Sequence, residues 1–428
     1  MLSASAPFEG PEKLLEVWFA PSPAHVPDVH SPNNGKIGLR KVPRYVWEDM
    51  LAIVKCKVLS VIEGDETDAY LLRLVTRGLL NYFIQAASRS ESSLFVFAHR
   101  IILKTCGTTL NLLGLPGILD IARDYASLPS TYRCFYSRKS FMFPERQLGP
   151  HREWKDEVAF LDAIFPRGAA YTVGKVNGDH WLLYITSPGD PDPPDISKTP
   201  PPPDYTIEIL MSDLSPDARE RFYYTASPSS GDDVPSDRLP SIRGQTLSSA
   251  LQITEIFPAR LTTLDAYAFS PCGYSSNALL KWGNPGPDGR SGEGYYTIHV
   301  TPEEGWSYAS FECNVPLSPS SSSENDIPDL QTLVRRVVDI FQPGRLSMTL
   351  FISSEHNNME EDGGDTIEAA QRAFKVALTG HQFEPNSSSD SETGNAVEGE
   401  RQKGYRRTDK INYEFGGYDL AFASFELR

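Results

Sequence analysis

The sequence has little cysteine and little positive charge for its length. It contains five cysteines in 428 residues, and none of them form a CxxC pair. A sparse and odd number argues against a disulfide-rich secreted domain and against a structural zinc site, so no metal is predicted. Lys and Arg number 40 against 56 Asp and Glu, a net charge of −16. Because nucleic acids and anionic membranes bind basic surfaces, we expect neither as a partner.

Long apolar runs and a targeting segment are also missing. No run approaches the roughly 18 apolar residues that a membrane-spanning helix needs. The N-terminus, MLSASAPFEG, lacks the basic and then apolar pattern of a signal peptide. These absences predict a cytoplasmic protein. The hydrophobic fraction of 40% is sufficient for a sizeable core.

Polar stretches rich in Pro, Gly, Ser or acidic residues separate segments of regular pattern. They predict surface loops at 187–204, 227–240, 283–294, 318–329 and 384–400. Alternation with period two predicts strands at 204–210, 295–301, 306–315, 347–353 and 418–427. Helical spacing predicts helices at about 43–55, 116–126, 152–165, 328–341 and 365–379. The loops fall between strands, which favours one α+β domain over residues 1–428, and no internal repeat is visible.

Acidic side chains alternate with apolar ones in several of these segments. In FEGPEKLLEVWF, a strand or a helix would place both glutamates on one face. DYTIEIL and WSYASFECNV carry similar stripes. The stripe residues are Glu12, Glu16, Asp204, Thr206, Glu208 and Glu312. They form either the solvated faces of antiparallel strands or an anionic pocket that needs a cation such as a diamine.

Three further side chains could carry chemistry. Ser92 precedes an apolar run and is either a nucleophile or part of a turn that enters a strand. Cys106 stands among apolar and small residues, where a buried inert thiol is the usual case. His299 lies in the middle of a predicted strand and is either structural or catalytic. The sequence has no GxGxxG, phosphate-binding loop, HExxH or GxSxG motif, so none of these residues decides a function alone.

Taken together, the clusters resemble the eukaryotic type of S-adenosylmethionine decarboxylase. The similar blocks follow the family's order over nearly the whole chain: FEGPEKLLEVWF, SESSLFVF, ILKTCGTT, FYSRKSFMFPE, PHREW, FLDAIFPRGAAYTVG, HWLLY, TIEILMSDL, PCGYSSN, YYTIHVTPE and GYDLAFASFE. The resemblance implies a four-layer αββα sandwich, in which helices flank two large antiparallel sheets.

The resemblance also implies that the protein makes its own pyruvoyl cofactor. The Ser92 hydroxyl would attack the carbonyl of Glu91 and turn the amide into an ester, β-elimination would then leave dehydroalanine, and hydrolysis of dehydroalanine with loss of ammonia would give the pyruvoyl group. The products are a small chain, 1–91, and a large chain, 92–428. The pyruvoyl ketone would form a Schiff base with S-adenosylmethionine and accept the electrons left by CO2. The decarboxylated product donates aminopropyl groups for spermidine and spermine.

Further roles follow from the same resemblance. For processing and catalysis, the matching residues are Ser275 and His299 (processing), Cys106 (proton donor) and Glu12 (active-site acid). For substrate binding, Phe8 and Phe269 match the pair that stacks on adenine, Glu303 matches the ribose ligand, and Glu91 remains as the new C-terminus of the small chain.

The acidic stripes match the putrescine site of the putrescine-activated members. The matching residues are Glu16, Lys104, Phe135, Asp204, Thr206, Glu208, Glu312 and Phe351. Asp204 matters most, because members that lack an acid there tend not to depend on putrescine. A dication between these carboxylates would neutralise buried charge. The sequence does not decide between a monomer and a homodimer.

One segment departs from the family pattern. The family runs from AY and two apolar residues, here Leu71 and Leu72, directly into SESS, whereas this chain has 17 extra residues, 73–89. Seventeen codons have the length of a short intron, so we interpret the segment as a retained intron. If it belongs to the protein, Arg89 replaces an apolar neighbour of the cleavage site. The alternative function is then a catalytically dead, unprocessed paralogue that regulates an active partner.

Overall fold

The computed structural model describes residues 9–75, 91–186, 204–223, 238–283, 292–318, 327–354, 366–379, 404–415 and 417–428. The strands are β1 Lys13–Trp18, β2 Cys56–Glu63, β3 Thr67–Leu74, β4 Glu91–Phe97, β5 Arg100–Thr105, β6 Arg133–Lys139, β7 Gly168–Gly174, β8 His180–Thr186, β9 Tyr205–Leu214, β10 Thr262–Ala268, β11 Tyr274–Trp282, β12 Gly292–Thr301, β13 Tyr308–Cys313, β14 Pro343–Ser353, β15 Tyr405–Phe415 and β16 Tyr418–Leu427. The α-helices of these ranges are α1 Arg44–Ile53, α2 Leu115–Ala126, α3 Trp154–Asp162, α4 Pro216–Glu220, α5 Leu239–Ala250, α6 Leu330–Phe341 and α7 Thr366–Thr379.

The strands form two eight-stranded sheets with the same topology. The N-terminal sheet has the order β2-β3-β4-β5-β1-β6-β8-β7, and the C-terminal sheet has the order β10-β11-β12-β13-β9-β14-β16-β15. Adding eight to each strand number of the first order gives the second. The two halves therefore repeat a topology although no sequence repeat is visible, because topology depends on strand pattern and connections rather than on residue identity.

Alternation along β1 shows how the layers form. Leu15 and Val17 pack in a core with Trp47 of α1 and Leu115 of α2. Trp18 points the other way, into a core that also contains residues of the C-terminal sheet. On the outer face of that second sheet, α6 and α7 pack in a further core. The predicted α+β fold, with two antiparallel sheets between helical layers, is confirmed.

Helix α6 shows why the sequence forms the outer layers. Its apolar residues recur at helical spacing, so one face is buried against the C-terminal sheet. The Asp329 side chain accepts a hydrogen bond from the Thr332 amide at 2.7 Å and caps the N-terminus. Gln342 ends the helix in the left-handed region.

The structure changes several predicted boundaries. The predicted loop 283–294 is wrong at its end, because Gly292 already begins β12. The predicted loop 227–240 is also wrong at its end, because Leu239 already begins α5. The sequence of α5 is polar, contains a glycine and has no clear apolar face, so the start of the helix was not predicted. The first two residues of segment 73–89 belong to β3. Residues 76–89, 187–203 and 384–400 lie outside the described residues. In the part of the chain that is described, no helix is long and apolar enough to cross a membrane.

Candidate active site

Glu12 lies just before β1 and links the two sheets. Its Oε1 is 3.1 Å from His299 Nδ1 and also accepts from the Ser310 hydroxyl, while the Tyr308 hydroxyl donates to Oε2 at 2.8 Å. Burial alone would raise the pKa of Glu12, but Lys104, His299 and Ser310 outweigh it and lower the pKa to about 2. Glu12 is therefore a buried anion that orients the imidazole.

His299 faces strand β4 across the space between the sheets. With Nδ1–H bound to Glu12, neutral His299 has its lone pair on Nε2. Ser93 Oγ lies 3.0 Å from this nitrogen, and the Ser93 hydroxyl is also 2.7 Å from Asn277 Oδ1. An acid, an imidazole and a hydroxyl thus stand in series between the sheets. Sequence reasoning did not single out Ser93 or Asn277 for this position.

Ser92 lies on the opposite face of β4. Leu94 and Val96, which share its face, belong to the core under the N-terminal helices. The Ser92 hydroxyl lies beside the thiol of Cys56, and burial raises the pKa of that thiol to about 12 against the opposing effect of Ser92. The structure thus brings Ser93, rather than the Ser92 hydroxyl, to His299. Two-residue alternation in SESS was the signal that could have shown this.

Ser275 is next to His299 in the β11–β12 ladder, where the two residues are paired. Its side chain is fully buried. Among the described residues, the Ser275 hydroxyl has no hydrogen-bond partner, and the Ser92 hydroxyl has only the weakly bonding thiol of Cys56. Buried hydroxyls are normally bonded, so these two are unusual for a protein interior.

Cys106 directly follows β5, whose last residue, Thr105, is paired with Ser92. The cysteine is 2% exposed. The Lys13 ammonium donates to the carbonyl of Gly107 at 2.8 Å and so holds the turn after the cysteine. Burial lowers the pKa of Lys13 to about 8. The predicted proton donor therefore lies close to the backbone of the predicted cleavage site.

The predicted substrate residues lie at the same end of the molecule as far as they are described. Phe269 follows β10 and Glu303 follows β12, and both are half-buried. The antiparallel order of β10, β11 and β12 places these two positions at one end of the C-terminal sheet, near His299. Phe8 and the side chain of Glu91 lie outside the described residues.

A second group of charges surrounds a cavity between the sheets. The carboxylates that line it are those of Glu16, Asp204, Glu208 and Glu312. The fully buried Lys104 ammonium is 2.9 Å from Glu208 and 2.6 Å from Glu312. Burial alone would lower the pKa of Lys104, but these carboxylates raise it. Burial raises the pKa of Glu208 to about 6, and Lys104 opposes the shift.

Aromatic rings complete the cavity wall. Phe135 and Phe351 meet edge to face with their centroids 6.2 Å apart, and Tyr418 is 5.1 Å from Phe135 in the same arrangement. Thr206 also lines the space. The structure therefore brings the whole predicted putrescine set together, with Lys104 bound to two of the lining carboxylates.

Arg100 is a charged residue of this region that sequence reasoning missed. Its guanidinium contacts Glu16 and Asp204 at 3.0 and 2.9 Å. A signal was present, because in RIILK the period of two places Arg100 and Lys104 on one face of β5. The cavity was predicted from the acidic stripes, and the basic stripe formed by Arg100 and Lys104 was not considered.

The cavity and the Glu12–His299 pair are parts of one buried charged region. Glu12 and Glu16 are four residues apart on one face of the chain, roughly 13 Å along a strand. Lys104 lies between them and lowers the pKa of Glu12. Within the described ranges, no group of three or more His, Cys, Asp or Glu side chains is arranged to hold a metal ion.

Comparison with known proteins decides the family. The profile of the family described as adenosylmethionine decarboxylase matches residues 5–426. This chain belongs to the adenosylmethionine decarboxylase family. The recognition and the enzyme class predicted from the sequence blocks are thereby confirmed.

Curated relatives agree with the family over most of the chain. An S-adenosylmethionine decarboxylase proenzyme of Xenopus laevis is 35% identical over 423 residues, covering 99% of this chain and 96% of the relative. Proteins of the same name from Saccharomyces cerevisiae and Drosophila melanogaster are 35% and 36% identical, covering 83% and 80% of this chain and 85% and 82% of the relatives. A crystal structure of the Trypanosoma brucei AdoMetDC-delta26 monomer aligns at 20% identity with a TM-score of 0.46, covering 78% of this chain and 99% of that one.

Proposed function

We propose that this adenosylmethionine decarboxylase cuts its own Glu91–Ser92 bond, converts Ser92 into a pyruvoyl group, and decarboxylates S-adenosylmethionine. The product then serves as the aminopropyl donor for spermidine and spermine. The observation that supports this most is the meeting of β4, Cys106 and the Glu12–His299 pair at one end of the sandwich. The proenzyme names of the relatives agree with it. On this proposal, residues 1–428 form one domain, and two chains remain after cleavage.

The surroundings of Ser92 fit a pyruvoyl group. The residue is fully buried, and the Cys56 thiol beside its hydroxyl is a weak hydrogen-bond partner. Loss of the hydroxyl during conversion therefore costs at most a weak hydrogen bond. Once formed, a pyruvoyl group supplies a carbonyl that accepts the electrons released with CO2.

His299 is the proposed base for the processing reaction. Its Nε2 stands against Ser93, one residue from the Cα of Ser92, and Glu12 stabilises the imidazolium that forms when Nε2 takes a proton. Ser275, paired with His299, is the proposed second processing residue. Cys106 is the proposed donor that returns a proton to the product.

Substrate and activator are assigned to the two parts of the charged region. Phe269 and Glu303, with Phe8 and the new C-terminus at Glu91, are proposed to bind the adenosyl group. Putrescine is proposed to bind in the cavity lined by Asp204, because a buried set of carboxylates favours a dication. Putrescine bound in the cavity would act on the catalytic groups through Lys104, because Lys104 interacts with Glu208 and Glu312 of the cavity and with Glu12 beside His299.

The proposal is tested by following cleavage of purified protein on a denaturing gel. Wild type should give pieces of roughly 10 and 37 kDa out of 47.5 kDa, split where the nucleophile requires. Ser92→Ala should stay a single inactive band. Ser93→Ala is the matched control, and mass spectrometry should find its large chain still beginning with a converted residue 92. Cleavage in Ser92→Ala but not in Ser93→Ala would overturn the assignment of the nucleophile. An inactive wild type that stays one band would favour the regulatory paralogue.

A further inference from the structure

Arg100 is held rigidly at the outer end of the charged cavity. The side chain, 9% exposed, makes ion pairs with Glu16 at 3.0 Å and Asp204 at 2.9 Å. The guanidinium also lies 4.5 Å from the ring centroids of Trp18 and Phe97. Two ion pairs and two cation–π contacts leave this cation little freedom to move.

The partners of Arg100 are fixed as well. Trp18 Nε1 donates to Glu16 Oε1 at 2.7 Å, and the Tyr418 hydroxyl donates to Asp204 Oδ2 at 2.7 Å. Glu16 belongs to the N-terminal sheet, whereas Asp204 directly precedes β9 of the C-terminal sheet. Arg100 therefore bridges the two sheets at one end of the cavity.

The carboxylates that line the cavity outnumber the cations that are ion-paired with them. Its lining carboxylates are Glu16, Asp204, Glu208 and Glu312, and the cations paired with them are Arg100 and Lys104. When all are ionised, four negative charges face two positive ones, a net charge of −2. A ligand with two positive charges neutralises that set, whereas a monoamine leaves it negative.

We propose that Arg100 is the fixed counter-ion of this cavity, which maintains activity without the diamine and competes with one ammonium group of the diamine for Asp204 and Glu16. The inference rests on the proposed function, since it concerns regulation of the same enzyme. Arg100 is a positioning residue, because it acts through carboxylates rather than on substrate. Arg100 neutralises Glu16 and Asp204. Lys104 can therefore interact with Glu208, Glu312 and the neighbouring Glu12.

Removal of this cation should have three linked effects. In Arg100→Gln the net charge of the set becomes −3, so activity without putrescine should fall about tenfold, the scale of one charge-assisted contact. Putrescine should bind more tightly than to wild type, because Asp204 and Glu16 lose the fixed cation that competes for them. Saturating putrescine brings the net charge of the set from −3 to −1, so activity should return at least to within about twofold of that of wild type without putrescine.

The experiment measures decarboxylation against putrescine concentration, and putrescine binding by calorimetry, for full-length wild type, Arg100→Gln and Arg100→Lys. Arg100→Lys keeps the charge and should retain most of the activity without putrescine. The exposed Arg123, changed to Gln, is the control for loss of an arginine elsewhere.

Each outcome has a definite meaning. Unchanged activity and unchanged putrescine affinity in Arg100→Gln would overturn the inference. Lost activity that putrescine does not restore would also overturn it, because it would indicate a purely structural role. If wild type binds putrescine but does not decarboxylate, the proposed function fails while calorimetry still tests Arg100. In that case, tighter putrescine binding by Arg100→Gln than by wild type would be sufficient to support the inference.

Discussion

At the scale of single residues, the proposal that Cys106 returns a proton to the product predicts the effect of removing its thiol. If Cys106 is the donor, Cys106→Ala should leave cleavage intact and lower decarboxylation by about 10²–10⁴-fold, the contribution typical of a positioned general acid. The measurement is single-turnover release of CO2. Mass spectrometry of the large chain should also show its first residue converted to an amine.

The chain offers a matched control for this substitution. Cys134 is an equally buried thiol of the N-terminal sheet, but it packs in the core under the helices. Cys134→Ala should therefore cost some stability and little activity. Near-normal turnover in Cys106→Ala would show that the thiol is only a packing residue.

At the scale of elements, the pairing of β3 with β4 determines what segment 73–89 does to processing. Leu72 is paired with Ser92, and the ladder continues to Arg73 and Glu91. Deletion of 73–89 would leave Ser90 and Glu91 as the two residues that connect Leu72 to Ser92. Two residues are the commonest loop length for an antiparallel hairpin, so the register can be kept without the segment.

We therefore predict that the variant lacking 73–89 folds and cleaves itself faster than the full chain. The scissile bond then lies in a turn rather than in a hydrogen-bonded ladder. In the turn, the Ser92 hydroxyl is less restrained. Gel densitometry after synthesis measures the rate. Deletion of 384–400 removes the same number of residues elsewhere and should leave the rate unchanged. Slower cleavage, or misfolding, of the first variant alone would contradict the prediction.

At the scale of the whole molecule, the charges trapped between the sheets predict how pH acts. Burial raises the pKa of Glu16 to about 7, with Arg100 opposing, and the pKa of Glu208 to about 6. Both values lie above the ordinary value of 4.5, so the folded protein binds protons here that the unfolded chain releases. The stability that these groups contribute is present below pH 4.5 and is lost as the pH rises through 6 to 7.

The proposed putrescine site requires ionised carboxylates, so putrescine should bind more weakly as the pH falls from 8 to 5.5 and should release protons near pH 6.5. Its stabilisation of the fold should follow the same direction, reaching about 2.7 kcal/mol at a concentration of 100 Kd. Thermal unfolding with and without putrescine, and calorimetry in two buffers of different ionisation enthalpy, measure both effects. Asp204→Val should lose the response at every pH. An affinity independent of pH would contradict the prediction.

The sequence by itself determined the secondary structure pattern and much of the site's composition. Period-two alternation predicted strands that the structure has as β9, β12 and β16, and helical spacing located α6 within two residues. These features are local, because the direction of a side chain in a strand or helix follows from its neighbours along the chain. The ordered blocks similarly indicated the family, since they require only the order of residues.

Tertiary structure alone decided which side chains meet. Glu12 contacts His299 across 287 positions, and Arg100 contacts Asp204 across 104. Alternation states that a residue faces one side of its sheet, but it does not state which sheet lies opposite or in what register. It therefore separates Ser92 from Ser93 but does not state which of the two faces His299, and it does not show that Arg100 meets both acidic stripes. Contacts between distant segments depend on how two sheets pack, and packing is fixed by the summed burial of both faces rather than by any local pattern.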